Sequence, residues 1–281
     1  MYENRYEFRV ARMACVLEVS ESGYYKWLNR HKNGKVISKE EILLRAKIKE
    51  IYIKSRCSFG ARKVTKAINK HRDFPVNHKR IERIMREYCF YSTVSKKYIC
   101  TTDSKHNEAI ADNLLERDFT ASGPNEKMLS DTTVIKTKQG KLYVAGILDL
   151  YGRMPVGLAM SNNNDTELVK DALKDMILRG GGREGCILHS DRGSTYASGD
   201  YRNLLAEHGF LCSMSRKGDC WDNAPMESFW GKMKQEWLKP KYATRLEAAR
   251  DVYEYVWYFY PHKRPHQSNE YLTPAEIYQQ G

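Results

Sequence analysis

"MLSDTTVIKTKQGKLYVAGILDLYGRMPVGLAM" occupies residues 128–160. The Gln139-Gly140 pair and the Tyr151-Gly152 pair break it into three runs rich in β-branched and aromatic side chains. That pattern predicts two strands in a hairpin with a third strand following. The unbroken apolar run over 142–148 predicts a middle strand covered on both faces. Downstream, strands alternate with helices. "NNDTELVKDALKDMILRGGG" (163–182) opens on Asn/Asp, sets apolar residues at 168, 169, 172, 173, 176 and 177, and stops on glycines, as a helix does. "GCILH" (185–189) is a fourth strand, 199–209 a helix and "FLCSM" (210–214) a fifth strand. Three antiparallel strands followed by this alternation give an α/β fold, a mixed five-stranded sheet with helices on its faces.

Upstream the periodicity is helical throughout. Val10, Met13, Ala14 and Leu17 share a helical face, "EVSESG" (18–23) breaks it, and a second helix starts near Ser22 with Ser20 or Ser22 as its cap. Residues 1–36 therefore read as a helix-turn-helix-like segment. Ser38 and Glu41 form a capping box for a helix that turns Ile42, Leu44, Ile48 and Ile51 inward. "ARKVTKAINKH" (61–71), a break at Phe74-Pro75 and "NHKRIERIMREY" (77–88) repeat the arrangement. In the last helix Ile81, Ile84 and Met85 face in, and Lys79, Arg80, Arg83 and Arg86 crowd the outer face, so 37–92 is a second helical, DNA-binding segment. Residues 93–118 read as a linker, 119–238 as a catalytic core and 239–281 as a helical tail. In that tail "YEYVWYFYPHKRPH" (253–266) mixes aromatic and basic side chains. About half of those aromatics belong to a core, and Lys263 and Arg264 are candidate DNA contacts.

The charge is as uneven as the periodicity. Residues 1–110 carry a net +13, and 111–281 carry −1, out of a total of +12. A basic helical region beside a near-neutral α/β region is the footprint of nucleic-acid binding through phosphate neutralisation. With 41% hydrophobic and 29% charged residues the chain has the composition of a folded globular protein. Neither a signal peptide nor an apolar run of membrane-spanning length is written in it, so the expected location is the cytoplasm, on the nucleoid. The seven cysteines contain no CxxC pair and read as reduced thiols.

Three acids stand out against this frame. Asp131 lies in the first strand and Asp191 directly after the fourth. Glu227 lies near the start of a helix in "CWDNAPMESFWGKMKQEWL" (220–238), where Asp222 or Asn223 is the cap and Pro225 fills the first turn. Met226, Phe229, Trp230, Met233 and Trp237 make that helix's buried stripe, and Glu227 lies off it, with Gly231 and Lys234 along its own face. Carboxylates drawn to one place repel one another and call for a cation, and an all-oxygen donor set selects Mg²⁺ or Mn²⁺, two ions being the expected number. The structural alternative is that Asp191 caps the turn at Arg192-Gly193 and Glu227 serves its helix dipole. His189 reads as a packed or hydrogen-bonded side chain rather than a general base. Asp149 reads as a turn residue paired with Arg153.

"LLERDFTASGPN", "LSDTTVIKT", "YVAGILDLYGR", "ILHSDRGSTYAS", "SMSRKGDCWDNAPMESFWGKMKQEWL" and "YLTPAEIY" together resemble the bacterial insertion-sequence transposases whose second frame encodes a retroviral-integrase-like core. The resemblance covers nearly the whole chain. It implies a ribonuclease-H-like catalytic fold of DDE type, with the acidic triad on Asp131, Asp191 and Glu227 as metal ligands and Lys234 as a DNA contact. It implies cleavage of element ends by water, followed by attack of a DNA 3′-hydroxyl on a second phosphodiester. The implied partners are the terminal inverted repeats, target DNA, further copies of the chain and an upstream-frame protein, joined in some relatives by frameshift fusion. The sequence departs from the family pattern at Met128-Leu129, at Ser130 where threonine is usual, at Gly152 where serine is common, and in the tail. Two other functions fit the same residues: a ribonuclease-H-like nuclease or resolvase without strand transfer, and a non-catalytic DNA-binding regulator.

Overall fold

The computed structural model describes residues 1–33, 38–70, 72–93, 111–216 and 220–281. Two compact units divide between Glu50 and Ile51. In the first, α1 (Val10–Val16) and α2 (Glu21–Asn33) form the expected helical hairpin, followed by α3 (Lys39–Lys54), which runs across the division. Ser20, not Ser22, caps α2, accepting a bond from the Gly23 amide at 3.0 Å. Tyr2, Trp27 and His31 make a small aromatic stack, with Trp27 and His31 centroids 4.8 Å apart. Ser38 accepts from the Glu41 amide at 3.2 Å, one half of the expected box. Leu44 and Ile48 are fully buried as expected, but Ile42 is exposed, because helical geometry carries it off the face those two share.

After the end of α3 the second unit continues with α4 (Ala61–Asn69) and α5 (His78–Glu87). Val64, Ile68, Ile81, Ile84 and Met85 bury their side chains, and the Asn69 amide group clasps both backbone groups of Val76 in the turn, at 2.8 and 3.0 Å. The expected linker over 93–118 lies mainly outside the described residues. Its described end is anchored: Asn113 and Arg117 bond Asp222, and the Leu114 amide bonds Ser213.

The sheet is built from β1 (Lys127–Thr137), β2 (Gly140–Asp149), β3 (Met154–Ser161), β4 (Ile187–Ser190) and β5 (Leu211–Met214), in the order β3-β2-β1-β4-β5. The first three strands pair antiparallel, and β4 and β5 add in parallel, the mixed sheet read from the sequence. Between them run α6 (Thr166–Leu178), capped by Asp165, then α7 (Ser194–Ala197) and α8 (Gly199–Glu207), capped by Ser198. After β5 come α9 (Ala224–Glu236), α10 (Arg245–Glu254), one π turn at Tyr255–Phe259, α11 (Tyr260–His262) and α12 (Pro274–Tyr278).

Two helices approach the sheet from opposite faces where the strands carry no side chain. A Cβ at Gly157 would lie 2.6 Å from the Ala172 carbonyl of α6, and one at Gly146 would lie 2.8 Å from the Trp230 ring of α9. Gly157 pairs with Ile147, the neighbour of Gly146, so the alternation of the strand puts the two contacts on opposite faces. Packed against α9, the tail contributes a second aromatic core in which Trp237 stacks on Phe259 at 4.3 Å. Tyr255, Phe259 and Tyr260 are buried while Tyr253 and Tyr258 are exposed, the division expected of that segment. Among the described residues no helix is long and apolar enough to cross a membrane. The described cysteine side chains, at 15, 57, 89, 186 and 212, are free thiols, and Cys100 and the Cys220 side chain lie outside the described residues.

Candidate active site

Strand register decides what Asp131 faces. It stands opposite Gly146 across the β1–β2 ladder, and directly opposed residues project from the same face. That face receives Trp230 and Met226 of α9 on Gly146, so Asp131 points toward α9. On its other side β1 pairs in parallel with β4, ending at Ser130 opposite Ser190. Asp191 follows Ser190 immediately, which brings it alongside Asp131 at roughly the 4.8 Å spacing of neighbouring strands. The short apolar run of β4 thus stops where its next side chain joins Asp131.

The turn after β4 is pinned on several sides. The Gly193 amide donates to Asp191 Oδ1 at 2.9 Å, so Asp191 does cap this turn, while lying beside a second acid. Arg192 Nε donates to the Ser215 carbonyl, and Ser130 Oγ donates to the buried Tyr196 hydroxyl at 3.0 Å. Ser130, the departure from the usual threonine, therefore has a partner of its own. His189 is fully buried, its ring nitrogens 2.8 Å from Ser213 Oγ and 3.1 Å from Ser215 Oγ, and burial pulls its pKa down to about 4. It packs between β4 and β5, as the sequence suggested.

The helix that carries Glu227 is fixed by its apolar stripe. Met226, Phe229, Trp230, Met233 and Trp237 are all buried, and Pro225 occupies the first turn. Neither expected cap residue caps it. Asp222 instead bonds Arg117 at 2.9 Å, Asn113 at 3.0 Å and the Arg216 amide at 2.9 Å, and Asn223 makes no capping bond. These bonds favour the charged form of Asp222 and hold its pKa below the usual range despite burial. Glu227 and Lys234 are half-buried, and the space beside Gly231 is open.

Electrostatics ties the acids together. Asp131 has its pKa raised well above the usual carboxylate value, first by burial, then by the negative charge of Asp191 and, more weakly, of Glu227, while Lys234 acts the other way. Burial also raises Glu227. Among the described residues no group of three or more His, Cys, Asp or Glu side chains is placed to hold a metal ion as it stands, Asp131, Asp191 and Glu227 included.

The other sequence-derived candidates fall elsewhere. Lys79, Arg83 and Arg86 are exposed on α5 with Arg80 half-buried; Arg83 pairs with Glu87 at 3.5 Å and Arg86 with Glu82 at 3.4 Å. Lys263 is exposed, but Arg264 is not a surface contact. It is 4% exposed and grips Glu236 of α9 with both ends of its guanidinium, at 2.7 and 2.9 Å, while Lys63 of α4 closes on the same carboxylate at 3.0 Å. The expectation for Arg264 is corrected: a bidentate ion pair inside an aromatic core holds the tail to α9. Asp149 is a turn residue, as read, but its partners are the Asn125 and Tyr151 amides and the Tyr278 hydroxyl, not Arg153. Gly146 was missed, although a glycine inside an apolar strand signals close approach of another element. Gly152 replaces the family's serine at φ +67°, with a Cβ position 3.1 Å from the Pro274 carbonyl, a place that admits only glycine comfortably.

Known proteins align with these regions. An HTH-like domain model matches residues 38–98, and two integrase core domain models match 121–220 and 208–274. The chain is 37% identical over 264 residues to the insertion element IS600 uncharacterized 31 kDa protein of Shigella sonnei, covering 94% of this chain and 96% of that one. It is 32% identical over 272 residues to the transposase InsF for insertion sequence IS3A of Escherichia coli strain K12, covering 96% and 94%. The HTLV-2 integrase catalytic core domain in complex with magnesium superimposes with a TM-score of 0.44 at 15% identity, over 56% of this chain and 98% of that one, a likeness too low to carry an argument.

Proposed function

Since this chain belongs to the IS3 family of insertion-sequence transposases with an integrase core, a DNA transposase of DDE type, we propose that Asp131, Asp191 and Glu227 are its catalytic carboxylates. The observation that supports this reading is the register: Asp131 faces α9 opposite Gly146, Asp191 follows the end of the neighbouring strand β4, and α9, which packs on that face, carries Glu227, whose charge is felt at Asp131.

The donor set suits a hard divalent cation, Mg²⁺ or Mn²⁺. Burial first, and then repulsion from Asp191 and Glu227, weakens the acidity of Asp131, and such an ion neutralises that charge excess. Asp131, Asp191 and Glu227 would hold it, two ions being the number expected for in-line displacement at a phosphodiester. When bound it supplies an activated nucleophile and charge neutralisation at the phosphodiester.

What the chain itself contributes is position. β1 and the pinned turn after β4 keep Asp131 and Asp191 from swinging away, and the α9 stripe does the same for Glu227. The open space at Gly231 leaves room for a DNA strand, and Lys234 on the same face holds one of its phosphates. Lys79, Arg80, Arg83 and Arg86 of α5 and Lys263 of the tail bind DNA backbone farther along. We assign 1–36 and 37–92 to DNA binding, 119–238 to catalysis and 239–281 to a tail that braces α9. The working form is a homo-oligomer on DNA, with or without an upstream-frame partner, on the nucleoid in the cytoplasm.

The test is product analysis. Purified chain with Mg²⁺ or Mn²⁺ and DNA carrying the element's ends is expected to give cut and joined strands, and chelation to abolish both. Cut strands without joined ones favour a nuclease or resolvase. Binding with neither product favours a DNA-binding regulator.

A further inference from the structure

Arg153 follows Gly152 in the turn after β2, in the left-handed region at φ +60°. Its Nη1 is buried and has no hydrogen-bond partner. Burial lowers its pKa, and no carboxylate offsets that effect. Arg153 is half-buried, and one nitrogen of its guanidinium is thus withdrawn from water without an acceptor, which is costly.

Arg153 lines a cleft of about 260 Å³ along the first turns of α9, together with Ser228, Lys232, His266, Phe119 and Tyr260. None of the described lining residues is acidic. Two cations and a hydroxyl face a space walled by aromatic rings, which is the chemistry of a phosphate subsite with a surface for sugar or base. The cleft is also next to the reaction centre. Ser228 follows Glu227 in sequence, and Lys232 lies one turn further along the same flank of α9.

We propose that this cleft binds a backbone phosphate of the DNA strand next to the one that reacts at Asp131, Asp191 and Glu227, with Arg153 and Lys232 as its cationic contacts. The proposal rests on the transposase reading above. Arg153 supplies a planar fork for two phosphate oxygens, and Lys232 a mobile point charge on the outer side. The strand bridges the cleft and the acids because both sit on one helix, on adjoining flanks.

The experiment is a titration of fluorescent single-stranded and duplex DNA with the full chain, in chelating buffer, at several salt concentrations. Arg153→Gln and Lys232→Ala are each expected to weaken binding by roughly 5- to 50-fold and to lower the log–log salt slope by about one. Lys174→Ala, an exposed lysine of α6 paired with Asp171 and Glu167, is the control expected to match wild type. Variants that keep wild-type affinity and slope overturn the proposal, and Lys232→Ala decides it if Arg153→Gln melts early. Loss of thermal protection by inorganic phosphate with DNA affinity intact makes the cleft a free-anion site and also overturns it. Wild-type protein that binds no DNA defeats the transposase reading instead, so the two failures are distinguishable.

Discussion

At the scale of single residues the site is a place where stability and function oppose each other. Asp131 is held in its strand against burial and against two neighbouring acids. Asp131→Asn is therefore expected to raise the melting temperature, by the equivalent of about 1 kcal/mol, while abolishing DNA cleavage. A variant that is both inactive and less stable than wild type would contradict this. His266 gives a second residue-scale prediction. Burial and the nearby positive charge of Arg264, Arg153 and Lys63 pull its pKa from 6.5 down to about 4. Between those values the unfolded chain binds the proton and the folded one does not, so this contribution destabilises progressively as pH falls, by up to about 3 kcal/mol. Asp149, pushed up to about 6 mainly by burial, works in the opposite direction, gaining stability as pH falls toward 3.8. Comparing thermal melts of wild type and His266→Gln from about pH 7 to about pH 4.5 isolates the histidine. The variant's relative stability should rise toward acid, and a constant difference would count against the assignment. The places of the three proposed acids were legible in the sequence, Asp131 in a strand, Asp191 at a strand end and Glu227 near a helix start. Arg264 was misread because its neighbours Lys263 and His262 are exposed, and only the fold reveals that Glu236, 28 positions away, receives it.

Among the elements, β1, β2 and α9 do most to assemble the candidate site, and Gly146 of β2, opposite Asp131, is where α9 meets the sheet. Gly146→Ala puts a methyl 2.8 Å from the Trp230 ring. We expect a loss of about 1–3 kcal/mol by chemical denaturation and a fall in cleavage larger than the stability loss explains, because α9 and Glu227 move together. Trp230→Phe in the same chain should recover part of both. Cleavage at the wild-type rate in Gly146→Ala would separate the position of α9 from catalysis. The ion pair between Arg264 and Glu236 braces the same helix. Arg264→Leu leaves a buried carboxylate with Lys63 alone and should cost about 3–5 kcal/mol, whereas Lys263→Ala should leave the melting temperature unchanged and weaken DNA binding only. The strands and helices themselves were legible, since alternation, glycine stops and caps are local signals. What was not local went unread: the bonds of Asp222 to the segment 113–117, and the tyrosine anchor of Ser130, both depend on partners far away in sequence.

For the whole molecule, the proposed function joins the uneven charge to the α/β core: in that proposal the basic helical region holds DNA, and the near-neutral core cuts and joins it. The order of the elements told the topology of the core before any coordinates, because three antiparallel strands followed by alternating helices and strands leave few topologies to choose from, whereas the chemistry came from the family resemblance. The site's central claim is that three carboxylates from β1, the end of β4 and α9 act as one unit. The most direct measurement is the rate of cleavage and joining of element-end DNA by wild type and by Glu227→Gln, compared at equal circular-dichroism spectra and melting temperatures no lower than wild type. Glu227→Gln is predicted to lose at least about 100-fold in both reactions, the scale of removing one group that stabilises transition-state charge. A folded Glu227→Gln protein that cuts and joins DNA at the wild-type rate would contradict the account.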